Sequence, residues 1–311
     1  MQVEAWRNML TMLHPDLVMF DHSPTAILAA RGMAVRQVTF GLGFYCPPNT
    51  QPLPVLAEWR PMPIEQKIAD ESVLTTRINT LLQRWNSPTL NHLSELFHGL
   101  NDHIFATWPE LDHYQERPDV SYFGTWSVGL SLHDDGTVDR WASGTRKKLF
   151  AYLKPMPTLP ALVTLLGQLP VDALIVVDNT DVRSLQNIAA ANVVVRDQPV
   201  PIPKVLQHCD VAILNGNHGS VAEFLLAGIP LLVIPLSMEQ AITGKRLEAK
   251  KLGAAAGPER IDIIEHQLRA IIDRPEVLHG REEFQTRHSQ TSDGERIDEV
   301  FAALTAFLPR D

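Results

Sequence analysis

Between residues 148 and 252, short apolar runs alternate with helix-length segments, and this alternation constrains the fold more than any other feature. Residues 148–153, 173–177, 192–195, 211–214 and 231–234 are apolar almost throughout, the pattern of strands buried on both faces. The segments between them, 159–169, 181–190, 205–209, 220–227 and 240–252, carry helical spacing. Five strands joined by helical crossovers predict an α/β domain with a doubly wound parallel sheet.

The first half repeats the theme more weakly. An apolar run at 17–20 is followed by Asp21-His22-Ser23-Pro24-Thr25 and then an Ala/Leu-rich stretch to Ala30. Ser23 is a plausible N-cap, Pro24 suits the first helical position, and Gly32 closes the helix. Residues 35–40 read as the next strand, so the pair is parallel with a helical crossover. Six prolines between 46 and 63 make an extended loop. Residues 64–100 read as helix broken at Asn86-Ser87-Pro88, and 103–108 and 120–124 as short strands. Residues 125–146 lose apolar periodicity and are expected to link two domains, 1–140 and 141–311. Residues 259–308 read as helical.

With 311 residues, the chain is long for one domain and comfortable for two. Only Cys46 and Cys209 occur, which excludes a disulfide scaffold and any multi-cysteine metal site. The net charge of −9 argues against binding nucleic acid through its phosphates. No leader is evident at the start, and no apolar stretch is long enough to span a bilayer, so a cytoplasmic protein with no membrane span is expected. No His/Asp cluster has metal-ligand spacing, so no metal is expected.

The strongest local chemistry is Asn215-Gly216-Asn217-His218-Gly219-Ser220, lying between a strand and a helix. Ligands of parallel sheets bind beyond the carboxyl ends of the strands. Glycines permit close approach there, and a helix start offers free N–H groups and its positive dipole end. This is physically an anion site; an ordinary tight strand–helix turn is the competing explanation. Lys154, after the first strand of this half, could also reach phosphates.

The longer stretch HCDVAILNGNHGSVAEFLLAGIPLLVIPLSMEQAITGKRLEAKKLG, residues 208–253, resembles the donor-binding segment of inverting GT-B glycosyltransferases. That group includes plant UDP-glycosyltransferases and bacterial macrolide and antibiotic glycosyltransferases. Residues 15–25 and 105–112 look like the family's first domain. The resemblance implies two Rossmann-like domains, an amino-terminal acceptor-side domain and a carboxy-terminal donor-side one. It implies transfer of a sugar, with inversion, from a UDP- or TDP-sugar to a hydroxyl of a small hydrophobic acceptor, without a separate cofactor. Gly219 and Ser220, with Asn215, Gly216 and His218, fall where the family meets the diphosphate. Glu223 falls where the ribose hydroxyls are bound, Glu239 and Gln240 where the sugar is bound, and the stretch around Val200 where the base is held. A solvated helix face is the alternative for Glu223, and a helix N-terminal role for Glu239 and Gln240.

Two departures are visible. The family's usual His at 215 is Asn, and its usual Gly at 217 is Asn217. His218 is a candidate to supply the missing imidazole, against the alternative of an exposed turn residue. On this reading, Asn215→His should strengthen diphosphate binding. The family's catalytic base is a His oriented by an Asp; Asp21 matches the orienter, whereas the strands that carry the base precede the portion matched here. A truncated first domain is therefore expected, with His22 and His113 as weak replacement bases. The implied partners are the nucleotide sugar and the acceptor, with a second copy or a partner chain as candidate cover for the truncated domain. The competing function is a catalytically defective nucleotide-sugar-binding or partner-binding protein.

Overall fold

The computed structural model describes residues 2–56, 59, 61–115, 117–118, 120–126, 135–178 and 180–308. The chain forms two compact units, Met1–Trp126 with Asp293–Asp311, and Ser127–Ser292. Within the expected linker, residues 127–134 lie outside the described residues.

The first unit opens with α1 (Gln2–Leu13), then β1 (Leu17–Asp21), α2 (Pro24–Ala30), β2 (Arg36–Gly41), α3 (Ile64–Arg84), α4 (Glu95–His98), β3 (Asp102–Phe105) and β4 (Ser121–Tyr122). The strands form a parallel sheet in the order β1-β2-β3-β4, with Leu17 opposite Arg36, Val38 opposite Asp102 and Ile104 opposite Ser121. Pro24 starts α2 as expected, but Ser23 occupies the cap position without a side-chain cap bond. Residues 26–30 are all buried, because α1 covers α2. Leu10, Phe20, Ile27, Leu82 and Leu96 share one core. The sequence reading holds no element before Leu17, and α1 is an addition to it.

The second unit contains α5 (Thr137–Ala142), β5 (Lys147–Leu153), α6 (Leu159–Gln168), β6 (Val171–Val177), α7 (Arg183–Ile188), β7 (Val193–Arg196), α8 (Ile202–Leu206), β8 (Val211–Leu214), α9 (His218–Leu226), β9 (Leu231–Val233), α10 (Met238–Ala249), β10 (Gly253–Ala255), α11 (Ile261–Asp273) and α12 (Gly280–His288). Six parallel strands run in the order β10-β9-β8-β5-β6-β7. The sixth, β10, was not expected; its three small residues carry no β-branched signal. The sheet is the doubly wound type, and its strand order reverses between β5 and β8.

The units divide the chain before 140/141. Trp141 of α5 donates its indole N–H to the Asp172 carbonyl at 2.8 Å, which ties residues 137–142 to the second unit. The last helix, α13 (Asp293–Thr305), belongs to the first unit. There Arg296 donates to the Thr125 carbonyl at 3.3 Å, and its guanidinium lies 5.4 Å from the Trp108 ring centre. Among the described residues, no helix is long and apolar enough to cross a membrane.

Candidate functional site

In the second unit the strand-order reversal puts the ends of β5 and β8 side by side. Ligands of such sheets bind there. Asn215, the first residue past β8, is 5% exposed. Its Oδ1 accepts from the Lys154 backbone N–H at 2.7 Å, and its Nδ2 donates to the Ile234 carbonyl at 2.8 Å. One amide thus ties together the chain just past β5, β8 and β9. The geometry alone does not make Asn215 a diphosphate contact in place of a His, since its amide oxygen and one of its two Nδ2 hydrogens are committed to backbone.

Gly216 has φ +96, and a Cβ there would meet Val233 Cγ1 at 2.8 Å and Gln240 Cβ at 3.3 Å. Both the backbone angle and the space therefore demand glycine. α9 begins at His218 rather than at Ser220, so Gly219 and Ser220 lie in its first turn. Asn217, the cap residue, makes no side-chain cap bond; its Oδ1 accepts instead from Gln240 Nε2 at 2.8 Å. The backbone N–H groups of Gly219 and Ser220 consequently have no acceptor among the described residues. Nothing lies within 4 Å of a Cβ built on Gly219. Free donors, a positive helix end and open space coincide here. His218 is 6% exposed, so it is not an exposed turn residue.

Glu223 sits on α9, half-buried, with no ion-pair partner among the described residues. Gln240 is 9% exposed and carries the capping box of α10. Its Oε1 accepts from the Leu236 and Ser237 N–H groups at 2.7 and 3.1 Å, while Ser237 Oγ accepts from the Gln240 N–H at 3.3 Å. The helix N-terminal alternative therefore holds for Gln240, whose acceptor oxygen is fully used. Glu239, half-buried, stands beside it in the first turn of α10. Val200 is buried in the loop after β7, at the same carboxyl edge but on the far side of β5 and β6. Among the described residues no group of three or more His, Cys, Asp or Glu could hold a metal ion.

The catalytic candidates all lie in the first unit. Asp21 ends β1, exposed, with Oδ1 3.2 Å from a Cβ built on Gly41. His22 has φ +40, and its ring lies against Tyr45, tilted by 31°, with centres 3.8 Å apart. His113 is 3% exposed, its ring meeting the edge of Phe44, and burial takes it out of reach of an incoming hydroxyl. No hydrogen bond joins Asp21 to either His, so the expected orienter–base pair is not assembled from these residues.

One feature that sequence reasoning missed is an apolar cavity of about 500 Å³, whose walls include Leu28, Tyr45, Leu74, Ile78 and Phe97, with His22 among its lining residues. The wall segment 43–47 is held from behind by a buried ion pair. Arg117 binds Asp112 at 2.9 Å and donates to the Cys46 carbonyl at 2.6 Å, and Tyr122 donates to Asp112 at 2.7 Å. Burial, then the bond to Asp112, push the Tyr122 hydroxyl well above its ordinary pKa.

No family model matches the chain. It is 30% identical over 132 residues to the NDP-glycosyltransferase YjiC of Bacillus subtilis, an alignment covering 42% of this chain and 32% of that protein. The chain thus spans about a third of the length of this curated relative. The calicheamicin glycosyltransferase CalG4 superposes with a TM-score of 0.71 at 18% identity, covering 99% of this chain and 80% of CalG4. The glycosyltransferase VinC in complex with dTDP gives 0.67 at 16% identity, covering 96% and 74%. The chain shares the two-unit α/β fold of these GT-B glycosyltransferases. Within this fold the reversal of strand order, the glycine loop and the start of α9 stand together at the carboxyl edge of the second unit. The apolar cavity belongs to the first.

Proposed function

We propose that the chain binds a UDP- or TDP-sugar at the carboxyl edge of the second unit and transfers the sugar, with inversion, to a hydroxyl of a small apolar acceptor. One observation carries the reading: Gly219 and Ser220 offer free N–H groups into open space where the strand order reverses. Backbone donors at a helix start suit a diphosphate without a metal ion. Glu223 then faces ribose hydroxyls and Glu239 the sugar, as carboxylates accept from vicinal hydroxyls. Val200 lies in the stretch proposed to hold the base. The apolar cavity is of a size that encloses small ligands. It supports a hydrophobic acceptor, with His22 as the imidazole nearest to hand.

Calorimetry with UDP and TDP, with and without chelator, tests the donor half. Binding that is unchanged by chelator is expected; no binding at millimolar nucleotide overturns the reading. Product formation over a panel of donors with phenolic or macrolide acceptors tests the transfer. A second reading, donor binding without turnover, is favoured by Asp21 having no imidazole partner among the described residues. A positioned general base contributes about 10²–10⁴-fold, so transfer well below about one per second is expected. Faster turnover that is lost in His22→Ala would instead make His22 the working base.

A further inference from the structure

The start of α9 supplies roughly half a positive charge, whereas a nucleoside diphosphate carries two to three negative ones. The diphosphate therefore calls for a further cation at the carboxyl edge of the second unit. Arg183, just beyond β6, is tied to Asp181 at 2.5 Å. Arg196, the last residue of β7, is tied to Asp135 at 3.1 Å. Arg260, beyond β10, is tied to Asp262 at 2.7 Å. The segments after β8 and β9, 215–217 and 234–237, contain no Lys or Arg. Lys154, just beyond β5, is exposed and makes no ion pair among the described residues.

Its backbone position is fixed. Tyr152 pairs with Leu214, so Lys154 leaves its strand abreast of Gly216. The Asn215 amide then locks the Lys154 N–H at 2.7 Å. Among the described residues considered at this edge, the cation without a carboxylate of its own is thus the one stapled to the loop that leads into α9.

We infer that Lys154 is the counter-charge for the diphosphate of the bound nucleotide, a positioning role that Asn215 enforces through the backbone. The inference rests on the donor reading above and deepens it. The lysine acts on phosphate charge alone, and the nucleoside is held elsewhere. Asn215 contributes by aiming the residue that meets the anion, not by meeting it.

The test is UDP binding to the full chain by calorimetry, and uridine binding by ligand-observed NMR, in wild type, Lys154→Met and Lys154→Arg. Methionine keeps the stem and the backbone N–H, so the Asn215 tie survives; thermal unfolding checks this. Loss of a charge-assisted contact should weaken UDP binding about tenfold. Uridine binding should stay unchanged, and Lys154→Arg should retain most of the affinity. The salt dependence of UDP binding should also be shallower in Lys154→Met. Equal UDP affinity in wild type and Lys154→Met overturns the inference while leaving the donor reading intact. So does a parallel loss of uridine binding, which marks a general defect. Wild type that binds neither UDP nor TDP overturns the donor reading, and the inference with it.

Discussion

Asn215 is the residue at which sequence and structure part most sharply. In the sequence it stands where the resembling family has His, and the difference reads as a weakened diphosphate contact. In the structure its two amide ends close onto Lys154 N–H and the Ile234 carbonyl. Asn215→Ala should cost about 1–3 kcal/mol, since it strands two backbone groups; urea unfolding measures this. Asn215→His should weaken UDP binding, reversing the expectation from sequence. Gly216 was legible, because a glycine after a strand at a loop–helix junction signals an unusual backbone angle. Gly216→Ala places a Cβ 2.8 Å from Val233 Cγ1 at positive φ, so it should unfold at clearly lower urea than wild type. The amide of Asn215 was not legible. Its partners lie 61 and 19 positions away, and only the strand order brings them within reach.

At the scale of elements, the second unit was largely readable because its strands are buried on both faces and declare themselves as unbroken apolar runs. The exceptions have physical causes. β10 is Gly253-Ala254-Ala255, whose small side chains fit an edge beside β9 but resemble a helix tail in sequence. α1 shows helical spacing at Val3, Trp6 and Leu10, a signal overlooked when the segment is read only for leader content. The capping box of α10 was also in plain view as Ser237-Met238-Glu239-Gln240, a Ser followed three residues later by Gln. Because Gln240 also holds Asn217, the cap couples α10 to the loop before α9. Ser237→Ala should cost about 1 kcal/mol in urea unfolding. Gln240→Ala should additionally speed amide hydrogen exchange across 215–220, whereas Ser237→Ala should leave that loop closer to wild type.

Across the whole molecule, two buried acids give both units a common alkaline limit. Burial pushes the Cys209 thiol up to about 12. Burial, opposed by Arg117, pushes the Tyr114 hydroxyl up to about 12. Unfolded chains lose these protons near about pH 8.5 and 10. The folded form keeps protons that the unfolded form releases, so stability is full below those values and declines as pH rises toward 12. Urea midpoints measured from pH 7 to 11 should fall progressively above about pH 8.5. Cys209→Ser and Tyr114→Phe should each flatten that decline. The paired carboxylates Asp181 and Asp262, both held near 2 by their arginines, are fully exposed and should add little at the acid end.

The first unit is assembled from residues on both sides of the second, with α13 joined to residues 1–126 through Arg296, Thr125 and Trp108. On the ribosome this inverts the order of completion. The second unit is continuous in sequence and can close as soon as residue 292 has cleared the exit tunnel. The first, although translated earlier, must wait for residues 293–305 to seal it. A nascent chain stalled with 292 residues outside the ribosome should therefore protect the second unit from protease while the Trp108 region remains cleavable.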